Sequence, residues 1–158
     1  MSTSTSKKAV IFRFDRDSLS GFLNAQDFAT AQGIELLTQA GQVQIVPYSE
    51  VQLVCFVKDF GDSTDIFSKK QYTARPKTAG LWVRFNFRNG ESLEGLLSSN
   101  LLQIERFGFT ATPPDSTMQR VFIPRDALSE LEVLGVIGSA LKKPKPKPAS
   151  ADQLHMFD

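Results

Sequence analysis

Histidine and cysteine, the side chains that most often do chemistry near neutral pH, occur once each, as His155 and Cys55. His155 lies far from any apolar pattern that could hold it, so no Ser-His-Asp or Cys-His arrangement is available; both need a base positioned by the fold. A multi-histidine metal site is excluded for the same reason. Cys55 sits in the apolar run LVCFV and reads as a small core residue; a reactive thiol needs exposure and a positive neighbourhood. Among the carboxylates, Asp15 and Asp17 flank a turn, where Asp is favoured for local hydrogen bonds. Asp59, Asp62 and Asp65 recur every third residue, whereas a calcium loop needs spacing by two, a central glycine and a distal glutamate. Glu91 and Glu94, three apart on an expected strand, point to opposite faces and make a poor acid–base pair. The phrase GVIG lacks the Lys-Ser/Thr of a phosphate loop. The residues point to a protein that is not an enzyme and needs no metal or cofactor.

Binding chemistry is better represented. Trp82, Arg84 and Arg88 share one parity on an expected strand, an aromatic ring among guanidiniums of the kind that can stack a base and contact a phosphate. A second group closes the chain: Gln153, Leu154, Met156 and Phe157 follow the segment KKPKPKPASAD. That segment has no large apolar residue, and its prolines favour extended polyproline II. It is expected to be a solvated spacer of about 11 residues, reaching up to ~30 Å. Apolar side chains beyond such a spacer have no core to enter and are suited to a partner.

Charge separates the tail from the rest. Removing the four lysines (Lys142, Lys143, Lys145, Lys147) and two aspartates of 142–158 from the 18 basic and 17 acidic residues leaves 14 and 15. A body this neutral lacks the broad positive field that drives nucleic-acid binding. No apolar run approaches the ~20 residues of a membrane span, AVIFRF is too short and charged for a signal-peptide core, and a lone cysteine fits a reducing compartment. These features lead us to expect a cytoplasmic protein that does not use a membrane.

The elements that must position these residues come as a repeat. FRFDRDSLSG (12–21) and FNFRNGESLEG (85–95) share Phe-x-Phe, a polar turn and Ser-Leu-x-Gly, and aligning the phenylalanines makes the second turn one residue longer. VQIVPYSEV (43–51) and VFIPRDAL (121–128) share an apolar run, a proline and a short polar stretch. Period-2 alternation predicts strands at 10–14, 19–23, 34–38, 42–46 and 52–57 in the first unit. In the second unit it predicts 81–87, 92–97, 101–106, 120–123 and 131–137, with Asn89-Gly90 as a hairpin turn. A single helical turn is expected at YSEV and at PRDAL. The resulting organisation is a disordered N-terminus (1–8), a first unit (9–57), an irregular connector (58–80) with an extra strand near 71–74 as an alternative, a second unit (81–141) and a disordered tail (142–158).

Five short strands with one helical turn before the last, opened by the hairpin RFNFRNGESLEGLL, resemble small SH3-like or Sm-like barrels. The resemblance implies an all-β protein of two tandem barrels. Units of ~50 residues are marginal alone, so the two are expected to pack together or share strands. Arg84 and Arg88 also have the Arg-x-x-x-Arg spacing of cyclic-di-nucleotide-binding PilZ barrels, and Ser-Leu-x-Gly supplies the Ser and Gly of the second PilZ motif. The position two before that serine, however, is Arg16 or Gly90 where the family has Asp or Asn.

The peptide QLHMF is similar to the bacterial sliding-clamp-binding motif, Gln-Leu-x-Leu/Met-Phe. The resemblance implies that Gln153 hydrogen-bonds at one end of a clamp groove, that Leu154 makes a small contact, and that Met156 and Phe157 fill its deep apolar pocket. Asp152 and Asp158 would lie at the rim, and the four tail lysines near DNA threaded through the clamp.

Overall fold

The computed structural model describes residues 6–63, 71–98, 106–114 and 118–138. Ten strands form: β1 (Ser6–Arg13), β2 (Leu19–Asn24), β3 (Ile34–Thr38), β4 (Val43–Val46), β5 (Val51–Val57), β6 (Gly80–Phe87), β7 (Ser92–Leu97), β8 (Gly108–Thr112), β9 (Met118–Pro124) and β10 (Leu128–Ile137). The described residues contain no α-helix, only 3-10 turns at Phe60–Ser63 and Arg125–Ala127. None of their helices is long and apolar enough to cross a membrane. The protein is all-β.

All ten strands belong to one open antiparallel sheet in the order β10-β6-β7-β8-β9-β5-β1-β2-β3-β4. Numbered within its own half, each set of five reads 5-1-2-3-4. The halves are joined where β9 pairs with β5, so the two units, expected to pack together or share strands, lie in a single continuous sheet. Burial explains the join. All seven residues of β5 are buried: Val54 and Phe56 enter one core with Ala9, Ile11, Leu23, Ile34 and Leu36, while Leu53, Cys55 and Val57 enter the other with Val83, Phe85, Phe87, Leu93 and Ile123. A strand apolar on both faces needs cover on both, and neither half alone provides it.

The repeat is real in register but shifted from its reading in the sequence. Ile11 pairs with Leu19 as Phe85 pairs with Leu93, so the counterpart of Phe85 is Ile11, not Phe12, and the two hairpins have equal length. One residue of slip changes the face of a strand. Phe12 and Phe14 therefore pack against the core of the second half, and the shared Phe-x-Phe phrase serves two different faces. Both last strands carry an extra residue at the same place: Gln52 is skipped between Phe12↔Leu53 and Arg13↔Val51, and Ser129 between Phe87↔Leu128 and Asn86↔Glu130.

Several boundaries differ from expectation. β1 begins at Ser6, inside the stretch expected to be disordered, because Ser6, Lys7 and Lys8 pair with Asn24, Leu23 and Phe22. The segment 71–74 is not a strand; the Tyr72 backbone N–H donates to the Glu94 carboxylate (3.1 Å) instead of to a neighbouring strand. The expected strand 101–106 lies outside the described residues except Arg106, which is in a bend. The third strand of the second half is β8, within a stretch read as loop. GFTAT has only one large apolar residue, and its placement is set by pairing with β9, Phe109 to Ile123 and Ala111 to Val121.

Candidate functional site

Strand β6 alternates as its sequence implies. Val83, Phe85 and Phe87 are buried, which puts Trp82, Arg84 and Asn86 on the opposite, half-buried face. On β7 the residue paired with Arg84 is Glu94, a buried carboxylate. Its Oε1 accepts from the Trp82 indole N–H (3.0 Å) and from the Tyr72 backbone N–H (3.1 Å), and its Oε2 lies 3.7 Å from the Arg84 guanidinium. Arg84 also reaches Glu132 on β10 at 3.5 Å, and Glu132 accepts from the Asn86 amide at 2.7 Å. The Asn86 hydrogen bond, then the Arg84 charge, hold the Glu132 carboxyl below its usual range. Tyr72 stands edge-on to Trp82 and donates to the Thr112 carbonyl at 2.6 Å. Burial, then the neighbouring Glu94 charge, raise its phenol to about 12.

Arg88 does not join this group. It lies in the β6–β7 turn, where its guanidinium covers the Phe14 ring at 4.2 Å and donates to the Ser49 carbonyl. Gln52 Nε2 donates to Glu91 Oε1 nearby, at 2.9 Å. Arg88 thus fastens the two halves together, while Arg84 has its charge met by two carboxylates. Trp82, Arg84 and Arg88 do not converge on one open position.

A cavity lined by two arginines and several phenylalanines lies elsewhere. Between the 25–29 turn, β5 and the start of β8 lies a space of about 290 Å³ lined by Phe28, Phe56, Phe107, Phe122, Arg106 and Arg120, among others. Arg120 covers Phe56 at 5.3 Å and Arg106 covers Phe107 at 5.1 Å. Phe28 meets Phe56 and Phe122 edge-on, at 5.3 and 5.1 Å. Phe107 stacks on Tyr48 at 5.7 Å, and the Tyr48 hydroxyl donates to the Thr30 carbonyl at 2.6 Å. Burial, then Asp126, raise that phenol to about 12. Among the described residues neither Arg106 nor Arg120 has a carboxylate within ion-pair distance.

A model of a family of unknown function, DUF6982, matches residues 5–135. The chain belongs to that family. No curated protein and no solved structure matches it. The DUF6982 match runs from the start of β1 into β10, so the family is defined over both halves together, and residues 136–158 lie beyond the match.

The remaining sequence-derived sites divide by location. Gln153, Leu154, Met156, Phe157 and the four tail lysines lie outside the described residues. Cys55 is buried on β5. No group of three or more His, Cys, Asp or Glu that could hold a metal comes together among the described residues. Sequence reasoning missed the Arg106–Arg120 cavity because its walls come from four separate segments, and only the β5–β9 junction brings them together. The one available signal was Arg-Phe at 106–107, a dipeptide with no motif around it.

Proposed function

We propose that this DUF6982 protein is a cytoplasmic, non-enzymatic adaptor in which a pair of small SH3-like/Sm-like β-barrels presents the peptide 153–157 to a protein partner, the bacterial DNA-replication sliding clamp. The observation that carries this reading is the sequence QLHMF set behind a Lys/Pro segment and beyond the family match. The barrel part of the reading is supported by the 5-1-2-3-4 strand order of each half and by the 3-10 turn before β10. Burying Leu154, Met156 and Phe157 would contribute ~1.5–3 kcal/mol each, less the cost of ordering the peptide. That balance suits a reversible, micromolar tether. The four upstream lysines would add a salt-dependent term when the clamp encloses DNA.

The test is binding of the full chain to purified β clamp beside a Gln153→Ala/Phe157→Ala double variant. Micromolar binding should fall by roughly 100-fold in the variant, the equivalent of ~3 kcal/mol. Absence of binding, or binding unchanged in the variant, would overturn the proposal.

A second reading, a barrel that binds a nucleotide, is favoured by one observation, the pair of guanidiniums over phenylalanine rings at Arg106 and Arg120, which among the described residues have no carboxylate within ion-pair distance. The cavity's size suits one base and one phosphate. Titration with the four ribonucleoside monophosphates should give saturable binding that weakens at least about tenfold in Arg106→Gln/Arg120→Gln, as expected for loss of charge-assisted hydrogen bonds. No binding by any of the four removes this reading.

A further inference from the structure

Among the described strands, β4 and β10 are the two edges of the sheet. The exposed large apolar residues of the described chain are Leu37, Val43, Ile45, Val133 and Val136. Four of the five lie on those two edge strands, and Leu37 pairs with Val43 next to one of them. An edge with unpaired N–H and C=O groups and apolar side chains is a template for another strand unless charge, proline or a bulge blunts it. β4 reads VQIV and carries no charge; β10 carries Glu130, Glu132 and two irregularities, which confine its regular edge to residues 131–133.

The internal repeat shows which strand fits. Within the chain, β9 closes against β5 with Val54↔Phe122, Cys55↔Val121 and Phe56↔Arg120. β4 is the counterpart of β9 in the first half. Both run into a proline, Pro47 or Pro124, and the residue before it, Val46 or Ile123, pairs with Ile34 or Phe109. Each of those begins one residue after a glycine, Gly33 or Gly108, whose added Cβ would meet the carbonyl of that same Val46 or Ile123. Ile45 therefore corresponds to Phe122, Gln44 to Val121 and Val43 to Arg120.

β10 is the counterpart of β5. Leu131 pairs with Phe85 as Val54 pairs with Ile11, Glu132 with Arg84 as Cys55 with Val10, and Val133 with Val83 as Phe56 with Ala9. At the internal junction Phe122 is 2% exposed; its counterpart Ile45, on the edge strand β4, is 45% exposed.

We propose that copies of this chain associate head to tail, β10 of one against β4 of the next, in the register of the internal β5–β9 junction. Val133 then lies opposite Val43, residues that are 58% and 68% exposed in the single chain. Leu131 lies opposite Ile45, and Glu132 opposite Gln44. The three paired residues of β10 fall between its two irregularities, at Ser129 and Leu134, where the strand is regular. The contact uses two different surfaces, so it is heterologous. It closes into a ring or extends as a filament according to the rotation per copy, and it does not form a two-fold dimer.

Sedimentation of the full chain distinguishes this from other arrangements. The wild type should exceed its 17.5 kDa monomer mass and grow with concentration. Ile45→Lys and Val133→Lys, both at exposed positions, should each sediment as monomers. Mixed in equal amounts they should recover a dimer, because the Ile45→Lys chain keeps its β10 edge and the Val133→Lys chain its β4 edge. Val43→Lys should behave as Ile45→Lys does and complement Val133→Lys in the same way. A wild type that stays monomeric at millimolar concentration, single variants that remain oligomeric, or a mixture that stays monomeric would each overturn the proposal.

Discussion

Replacing Phe122 by alanine should destabilise the whole protein by about 3–5 kcal/mol, the range for removing a buried aromatic ring. Phe122 belongs to β9, in the second half of the chain, and its neighbours Val121 and Ile123 point into the core of that half. Its own ring points the other way, into the first half's core beside Val54 and Phe56, with Phe28 edge-on at 5.1 Å. The cavity left by truncation would therefore open in one half through a residue carried by the other. Urea unfolding followed by far-UV circular dichroism and by the fluorescence of the single tryptophan, Trp82, is the measurement. Trp82 sits on β6 in the second half. If the sheet is one cooperative unit, both probes should move together and by the full amount. A Trp82 transition unmoved by Phe122→Ala would mean that the halves fold independently.

Gly33→Ala should cost on the order of 3 kcal/mol, overpacking that no rotamer change can relieve. Gly33 has φ +151°, and a Cβ there would lie 2.2 Å from the Val46 carbonyl oxygen, a backbone atom of the paired strand. β3 and β4 would have to separate. The same substitution at Gly108 meets the Ile123 oxygen at 2.3 Å and should cost a similar amount, because the two positions are counterparts. Gly138→Ala, with nothing within 4 Å of the added carbon, should be nearly neutral. For a chain of this length 3 kcal/mol corresponds to a fall in melting temperature of roughly 6–12 °C. A shift at Gly33 no larger than at Gly138 would show that the strands part freely there and would weaken the counterpart alignment on which the edge-pairing proposal rests.

Much of the strand plan was legible because it rests on local properties. Alternation of apolar residues gave β2, β3, β4 and β7 to within a residue or so of their ends. The hairpin signal Asn-Gly fell in the β6–β7 turn, where Gly90 has φ +93°. Proline stopped β4 at Val46, as its missing N–H requires, whereas β9 runs one residue past its expected end to include Pro124. β8 was missed for the complementary reason: GFTAT carries little pattern of its own and becomes a strand only by pairing with β9. The candidate site divides in the same way. That Trp82, Arg84 and Asn86 share a face follows from parity along one strand. That Glu94 and Glu132 consume the charge of Arg84, and that Arg88 turns away to Phe14, depends on which strands lie alongside.

By itself the sequence determined the all-β class, the two units, the helical turn before the last strand of the second unit and the division between a neutral body and a basic, proline-rich tail. Each of these follows from composition or from periods of two along the chain. Only the tertiary structure decided that the units share one sheet, that Ile11 rather than Phe12 answers to Phe85, and that Arg106 and Arg120 face one cavity. The physical reason is that strand register and neighbour are set by the burial of both faces at once. β5 buries side chains on both of its faces, and no stretch of its own sequence says which partner will cover the second.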